Sequence, residues 1–285
     1  MSSGSSRLKL VFLPESLLFM LTASYCFGKT RRKPFMEREV GLKHKNIHQA
    51  KKNANGPEAD WDRNIANIFL HIPKTGGTAF KKMITLLSEK GYETPKLSSH
   101  HLTLQEIEWR FPQAKTNFVL RDPIERAVSG YQSRMRMGRP VFNFKWNVAE
   151  AVSYSFFQSP LDWLKGIGSD DERLKSASIF AYDNIRHLAT NYIYYFGSVQ
   201  EVRRLKDRFG IIGEISRTND FVTKVLAEVA PDIEDISSVY EKKHESKVKS
   251  SSIVEDLTPE EYERVKTFFK QEYMIYDELR TYINC

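Results

Sequence analysis

Short apolar runs and amphipathic stretches alternate along most of the chain, a pattern typical of strands that feed helices. The first apolar run covers residues 67–72 and ends at Pro73. A glycine-containing loop at residues 74–78 follows. Apolar residues at helical spacing come next and end before Gly91: Phe80, Met83, Ile84 and Leu87. Because glycine often ends a helix, this pattern predicts a strand, a glycine loop and a helix.

A second strand-and-helix unit begins at residues 116–120, the run TNFVL. Arg121 stands at the end of the predicted strand, and Asp122 stands where it can cap the following helix. Pro123 suits the first helical position, and Glu125 completes the spacing of a capping box. Two such units indicate a parallel sheet that binds ligands at the carboxyl ends of its strands. We therefore predict an α/β fold, a three-layer sandwich with a central, mainly parallel sheet flanked by helices.

The second half of the chain contains further amphipathic stretches, which predict supporting helices. The spacing of apolar residues predicts helices over residues 184–196 and 199–209, before a short apolar run at residues 210–213. The sequence TPEE at residues 258–261 is a capping box that opens another helix. Its predicted inward face is rich in aromatic residues: Tyr262, Val265, Phe269, Tyr273 and Tyr276. Residues 242–252, rich in lysine and serine, predict a mobile loop.

Composition and charge change this picture at the N-terminal side. Residues 61–285 are enough for one domain, preceded by a basic stem at residues 29–60. Positions 29–52 of the stem hold nine basic residues against two acidic ones, a surplus equal to the formal net charge of +7 of the whole chain. The body is therefore nearly neutral, whereas a nucleic-acid-binding domain carries its basic stripe on the folded part; we expect no nucleic-acid partner. Two cysteines, Cys26 and Cys285, exclude a disulfide scaffold and a cysteine-rich zinc site.

The first segment, residues 1–28, contains an apolar stretch at residues 10–27 behind two basic residues. The stretch approaches the length of a membrane span, although a proline and a glutamate interrupt it. Basic residues also follow the stretch, which does not favour a lumenal position for the rest of the chain. A signal-anchor and a cytosolic amphipathic extension both stay open as interpretations.

The glycine loop has the composition of an anion site. Backbone N–H groups between a strand and a helix point toward a bound anion, and the helix dipole favours negative charge there. Gly76 and Gly77 let the backbone approach closely, and Lys74 adds a point charge. Thr75 and Thr78 add hydroxyl donors. Lys74 precedes the glycines, whereas the lysine of a nucleoside triphosphate loop follows them, so the order favours a different phosphate-like ligand.

Arg121 and Ser129 predict a second anion site for the same ligand. An arginine at a strand end can bind phosphate through two parallel hydrogen bonds; a salt bridge to a neighbouring carboxylate is its alternative use. Ser129 lies on the same helix face as Asp122 and can donate to the same anion. Asp122 serves better as a helix cap than as the magnesium-binding aspartate of a nucleotide enzyme. The sequence thus predicts a ligand with two anionic ends.

The segments HIPKTGGTAF (residues 71–80) and LRDPIERAVSGY (residues 120–131) resemble two elements of the carbohydrate sulfotransferases related to the heparan sulfate 2-O- and 6-O-sulfotransferases. They are similar to that family's 5′-phosphosulfate loop and 3′-phosphate element. The strong resemblance covers residues 67–136, and EYMIYDEL near the carboxyl end looks like the family's closing helix. The resemblance implies a P-loop-like sandwich and, as co-substrate, 3′-phosphoadenosine-5′-phosphosulfate (PAPS). The residues that it implies for PAPS binding are Lys74, Thr75, Gly76, Gly77, Thr78, Arg121 and Ser129.

The resemblance also implies a histidine base shortly before the second strand. His101 fits best within the stretch SSHHL, and His100 stays open as the alternative. A histidine can accept a hydroxyl proton near neutral pH, and Lys74 can neutralise charge on the leaving phosphate oxygen. We therefore predict transfer of a sulfuryl group from PAPS to a hydroxyl of a saccharide, with His101 and Lys74 as catalytic residues and without a metal.

The acceptor and the compartment follow less directly from the sequence. An acidic glycan would need cations near its cleft, and Arg134, Arg136 and Arg139 are candidates. The resemblance implies a single-pass type II protein of the Golgi membrane, with a cytoplasmic protein as the alternative. Two other functions stay open: an ATP-dependent P-loop kinase-like enzyme, and a glycan-binding relative without turnover.

Overall fold

The computed structural model describes residue 58 and residues 60–140, 142–240 and 249–284. Four strands form one sheet in these residues: β1 Asn67–Phe69, β2 Lys96–Leu97, β3 Lys115–Leu120 and β4 Phe209–Glu214. Their order is β2-β1-β3-β4, and each neighbouring pair is parallel. The predicted α/β architecture with a central parallel sheet is confirmed. The two strands predicted first are β1 and β3, and the apolar run at residues 210–213 lies in β4.

Thirteen α-helices accompany the sheet in the part of the chain that the structure describes. The first six are α1 Gly77–Glu89, α2 Leu104–Arg110, α3 Pro123–Met135, α4 Val148–Phe156, α5 Pro160–Ile167 and α6 Glu172–Asn184. The others are α7 Arg186–Ala189, α8 Tyr192–Phe196, α9 Val199–Arg204, α10 Thr218–Val229, α11 Ser250–Glu255, α12 Pro259–Phe268 and α13 Lys270–Arg280. Complete capping boxes open α2, α4 and α12, so side chains satisfy N–H groups that a helix leaves free.

Strand β3 shows how the core is layered. Phe118 and Leu120 belong to a hydrophobic cluster with side chains of α2, α8 and α13, whereas Val119 belongs to a second cluster with α1 and α10. Successive side chains of a strand point to opposite faces, so β3 is covered on both faces, as is usual for a parallel sheet. A third cluster around Trp163 joins α3, α5 and α12.

The single helix predicted over residues 184–196 is wrong. α6 ends at Asn184, and the short helices α7 and α8 follow it. Asn191 interrupts the run because its side chain accepts the N–H of Tyr194 and so begins α8. The four apolar residues whose spacing suggested one helix are nevertheless buried: Ile185, Leu188, Tyr192 and Phe196.

The helix predicted over residues 199–209 ends early. α9 stops at Arg204, and Phe209 begins β4, where it pairs with Thr116 of β3. Sheet pairing therefore overrides a helical spacing that continued to Phe209.

The capping box at residues 258–261 is confirmed, but the helix after it divides at Phe269 into α12 and α13. The expected loop at residues 242–252 is wrong for residues 250–252, which belong to α11. Residues 242–248 lie outside the described residues.

The predicted N-terminal segments also fall outside the described residues, apart from positions 58 and 60 of the stem. The division of the chain at residues 28 and 60, the signal-anchor and the Golgi location therefore stay predictions. Within the residues that the structure describes, no helix combines the length and the apolar character needed to cross a membrane.

Candidate functional site

The glycine loop makes a tight, internally bonded turn between β1 and α1. Lys74 has a left-handed backbone with φ 72°, and Gly76, the N-cap of α1, has φ 91°. A left-handed conformation is uncommon for a residue with a side chain, and contacts on both sides hold it here. The Thr75 hydroxyl donates to the Ile72 carbonyl at 3.0 Å. Arg121 Nη1 donates to the Lys74 carbonyl at 3.3 Å.

Four backbone N–H groups of this loop are available to a ligand. Within the described residues, none of the N–H groups of residues 75–78 donates a hydrogen bond. The first N–H groups of a helix have no partner in the helix, and its dipole adds partial positive charge there. Gly77 leaves no room for a side chain, because a Cβ atom would lie 1.9 Å from His71 Nε2. The loop therefore presents clustered donors at the carboxyl end of β1.

The Lys74 ammonium group has no ion-pair partner among the residues that the structure describes. Its pKa is lowered to about 8, first because burial disfavours the charged form and then because Arg136 and Arg121 repel it. Lys74 is half-buried, and a cation that is partly removed from water without a counter-ion costs free energy. Such a perturbed group is typical of a site that an anionic ligand completes.

Tyr192 fixes Arg121 at the end of β3. The Arg121 N–H donates to the Tyr192 hydroxyl at 2.9 Å, and that hydroxyl donates to the Arg121 carbonyl at 2.6 Å. The guanidinium reaches the Lys74 carbonyl and pairs with Glu125 at 3.4 Å, while Arg121 Nε is buried without a hydrogen-bond partner. The salt bridge anticipated as an alternative is thus present, but it is long and partly exposed. Because Arg121 contacts the loop, the two predicted anion sites lie side by side.

Both carboxylate oxygens of Asp122 accept hydrogen bonds from other residues of the protein. Its Oδ1 accepts the N–H of Glu125 at 3.0 Å, which confirms the cap, and its Oδ2 accepts the Tyr273 hydroxyl at 2.7 Å. Glu125 does not complete a capping box, because its carboxylate turns to Arg121. Within the described residues, no group of three or more His, Cys, Asp or Glu is arranged to hold a metal ion.

Ser129 is half-buried on α3 and makes no hydrogen bond within the described residues. The neighbouring Gly130 faces α7 rather than open space. A Cβ atom there would lie 3.1 Å from the Cβ of His187, so Gly130 lets α3 pack closely against α7. The hydroxyl of Ser129 remains free for a ligand.

The two adjacent histidines occupy different environments. The ring centroid of His100 lies 3.9 Å from that of His71 and 6.0 Å from that of His187. Burial lowers the pKa of His100, the hydrogen bond to His71 opposes this, and the charges of His101 and Lys74 lower it further. His101 is exposed, and Tyr194 binds its carbonyl at 2.9 Å. His100 thus lies within electrostatic range of Lys74, whereas His101 is exposed.

Sequence reasoning missed His71 and His187, which flank His100. Burial lowers the pKa of His71 to about 3, with further contributions from the charges of His100, Lys81 and Lys74. Burial also lowers the pKa of His187 well below its usual value, and the charge of Lys74 adds to this. His71 had a signal, because it directly precedes the loop in the segment HIPKTGG. His187 had none, since its distance along the chain gives no local pattern.

These residues together can bind an anion and remove a proton beside it. The free N–H groups, Lys74 and Arg121 supply positive potential, and His100 supplies an imidazole that is neutral near pH 7 because its pKa is lowered. The exposed His101 lies next to it in the chain.

Comparison with known proteins gives one family. The model of a family described as the sulfotransferase family matches residues 59–277, well over half of the chain. The matched region contains the glycine loop, Arg121 and all four histidines named above. Searches of curated proteins and of solved structures gave no match.

Proposed function

This chain belongs to the sulfotransferase family, and we propose that it moves a sulfuryl group from PAPS to a hydroxyl of a saccharide. Family membership supports sulfotransfer in general terms; the donor, the acceptor and the residue roles are the proposal. One observation carries it. The free N–H groups of residues 75–78, the unpaired Lys74 and the strand-end Arg121 meet at one edge of the sheet.

The glycine loop would hold the 5′-phosphosulfate of the donor. The N–H groups of Thr75, Gly76, Gly77 and Thr78 would donate to its oxygens, and Lys74 would neutralise its charge. The exposed Thr78 hydroxyl can add a further bond. The Thr75 hydroxyl already donates to the Ile72 carbonyl, so Thr75 would contribute its backbone N–H.

Arg121 and Ser129 would hold the 3′-phosphate. The buried Nε of Arg121 has no partner, and a buried donor without a partner costs free energy. A phosphate oxygen would satisfy it. Because Arg121 also bonds to the Lys74 carbonyl, one molecule with phosphates at the 3′ and 5′ positions could contact both sites.

The transfer step requires a base and a stabilised leaving group. The acceptor hydroxyl oxygen forms a bond to sulfur while the bond between sulfur and the 5′-phosphate oxygen breaks. A histidine takes the hydroxyl proton, and the electron pair of the broken bond stays on the phosphate oxygen. Lys74 stabilises that developing charge. The products are the sulfate ester, adenosine 3′,5′-bisphosphate and a protonated histidine that later loses its proton to water.

Two observations support His100 as this base, although the chain spacing favoured His101. His100 Nδ1 lies 3.1 Å from the His71 carbonyl oxygen. A carbonyl only accepts, so Nδ1 carries the proton and Nε2 keeps a lone pair. Within the described residues Nε2 has no hydrogen-bond partner, and Lys74 is close enough to influence the pKa of His100. His101 stays the alternative.

The segment after α3 supports a saccharide acceptor. Phe142 and Phe144 are half-exposed and stacked, with ring centroids 5.4 Å apart. The negative face of an aromatic ring suits the weakly positive C–H face of a sugar. Arg136 lies close enough to lower the pKa of Lys74, and Arg139 is exposed, so both suit an acidic sugar.

Arg134, the third arginine expected near the acceptor, is unavailable. It is buried and bonds to both carboxylate oxygens of Glu150, at 2.7 Å and 2.5 Å. Its role is therefore structural.

A transfer assay tests the proposed function. PAPS with labelled sulfate would be offered with a panel of desulfated glycans, acidic oligosaccharides and small alcohols, and we expect label on a saccharide. His100→Ala should abolish transfer while adenosine 3′,5′-bisphosphate binding stays close to that of the wild type. His101→Ala is the matched variant and should keep most activity. The opposite result assigns the base to His101.

Binding assays separate the two other functions. A kinase-like enzyme would be stabilised against heat by ATP with magnesium more than by adenosine 3′,5′-bisphosphate. A glycan-binding relative without turnover would bind saccharides but transfer no label to any of them. Either result would contradict the proposed sulfotransfer.

A further inference from the structure

We propose that His71 is a positioning residue, whose backbone carbonyl and ring together hold His100 with Nε2 free to take the acceptor proton. The inference rests on the proposed function, with His100 as the base. Its evidence is independent of that reaction, because it concerns how two histidines pack and hydrogen-bond.

Two contacts hold the His100 ring in one orientation. The hydrogen bond from Nδ1 to the His71 carbonyl, at 3.1 Å, fixes which nitrogen carries the proton. The ring of His71 lies 3.9 Å from that of His100 with an angle of 42° between the planes. The bond fixes the tautomer, and the ring contact limits rotation.

His71 is itself fixed in place. Its backbone N–H donates to the Ser98 hydroxyl at 2.9 Å, and that hydroxyl donates to the carbonyl of Ser99 at 3.1 Å. The carbonyl of His71 therefore belongs to a hydrogen-bonded segment two residues beyond the end of β1. Ser98 and Ser99 directly precede His100 in the chain, so the same contact also anchors the base from its backbone side.

The ring of His71 also contacts the glycine loop. A Cβ atom on Gly77 would lie 1.9 Å from Nε2 of His71, so the ring fills the place where a side chain of Gly77 would be. One residue thus packs against the proposed phosphosulfate loop and against the proposed base. His71 thereby sets the distance between donor and base, on which in-line transfer depends.

Four titratable side chains surround His100, and a positive charge on any of them opposes its protonation. His71, His187, His101 and Lys74 face it from the end of β1, from α7, from the adjoining chain position and from the glycine loop. Burial holds the pKa of His71 at about 3, so His71 adds no charge near neutral pH. A neutral ring at this position shields His100 from water without repelling its proton.

Two variants separate the carbonyl and the ring. His71→Ala keeps the carbonyl but removes the ring, which exposes His100 to water. We expect the transfer rate to fall ~10- to 100-fold through misplacement of the base. The acid limb of the kcat/KM profile should also move upward toward pH 6.5, because burial no longer lowers the pKa of His100 as much. His71→Phe keeps a ring and the carbonyl, and should restore both the rate and the acid limb.

Nuclear magnetic resonance of histidine labelled with nitrogen-15 gives a readout without turnover. The wild-type protein should show His100 protonated at Nδ1, with a titration below pH 6.5 that moves upward in His71→Ala. A wild-type His100 protonated at Nε2 would overturn the proposal, even if His71→Ala did not fold. So would a His71→Ala variant whose His100 titration and acid limb match the wild type. If the wild type transfers no sulfate but the titrations behave as expected, the proposed function fails and the positioning role stands.

Discussion

Two regions of this molecule bury cations in opposite ways. In the helical layer, Arg134 pairs with Glu150 through two bonds, and Arg126 pairs with Glu272 at 3.4 Å, with all four side chains nearly inaccessible. At the sheet edge, Lys74 is half-buried near the cations Arg121 and Arg136, and within the described residues no acid pairs with it.

The difference separates scaffold from binding site. A buried cation that pairs with a carboxylate of the same chain has its charge compensated when the protein folds and needs no anion from outside, although Arg126 Nε itself has no hydrogen-bond partner. A buried cation without such a partner lowers stability until an anion arrives. The paired arginines therefore hold helices together, whereas Lys74 has a charge that a bound anion could compensate.

The largest expected effect on stability comes from removing one partner of a buried ion pair. Arg134→Ala leaves the carboxylate of Glu150 buried and unpaired, and should lower the free energy of unfolding by about 3–5 kcal/mol. Urea unfolding measures this. Arg217→Ala is the matched control, because its pair with Asp220 is exposed and should contribute less than ~1 kcal/mol. Equal losses in the two variants would contradict the structural role of Arg134.

Replacing Lys74 should have the opposite pattern of effects, with a large loss of activity and no loss of stability. Lys74→Met should reduce sulfate transfer about 10²- to 10³-fold, since it removes stabilisation of the leaving oxygen. The free energy of unfolding should stay unchanged or rise, because a half-buried charge without a counter-ion is lost. Lys90→Met, at the exposed other end of α1, should change neither quantity. A strongly destabilised Lys74→Met would show that Lys74 belongs to the scaffold.

The lowered pKa of Lys74 gives a smaller, pH-dependent effect. Lysine loses its charge above its pKa, so kcat/KM should fall as the pH rises above about 8. One pH unit above that pKa, the value should be about tenfold below its maximum. Lys74→Arg should move this basic limb upward, because an arginine stays charged. A basic limb that does not move in Lys74→Arg would assign the titration to another group.

The fold was predictable where each signal is local. β1, the glycine loop and α1 follow one another without interruption, and the cap at Asp122 needs only the residue three positions later. The second half was less predictable because its signals compete. Asn191 caps a new helix inside an apolar run that continues at helical spacing, and Phe209 pairs in the sheet although it fits the preceding helix.

The residues of the candidate site were likewise predictable from the sequence only where the signal is local. Lys74 and Arg121 stand next to glycine and strand patterns, so their chemistry was visible in the sequence. The bond between His71 and His100 joins residues 29 positions apart, and Tyr192 holds Arg121 across 71 positions. No periodicity relates such residues, because the packing of separate elements brings them together. His101 is exposed and His100 is half-buried. This difference comes from the packing around the two residues, which a pair of adjacent histidines in a sequence does not reveal.

The central claim is that Lys74 and Arg121 bind opposite ends of one adenosine-based donor, and calorimetry with two ligands tests it most directly. The ligands are adenosine 3′,5′-bisphosphate and adenosine 5′-monophosphate, which differ only in the 3′-phosphate. The wild type, Lys74→Met and the exposed control Arg203→Ala should all prefer the bisphosphate by ~10- to 100-fold, as expected for hydrogen bonds between charged groups. Arg121→Ala should lose most of this preference, because only Ser129 would still contact the 3′-phosphate. An Arg121→Ala variant that keeps the full preference for the bisphosphate would contradict the account.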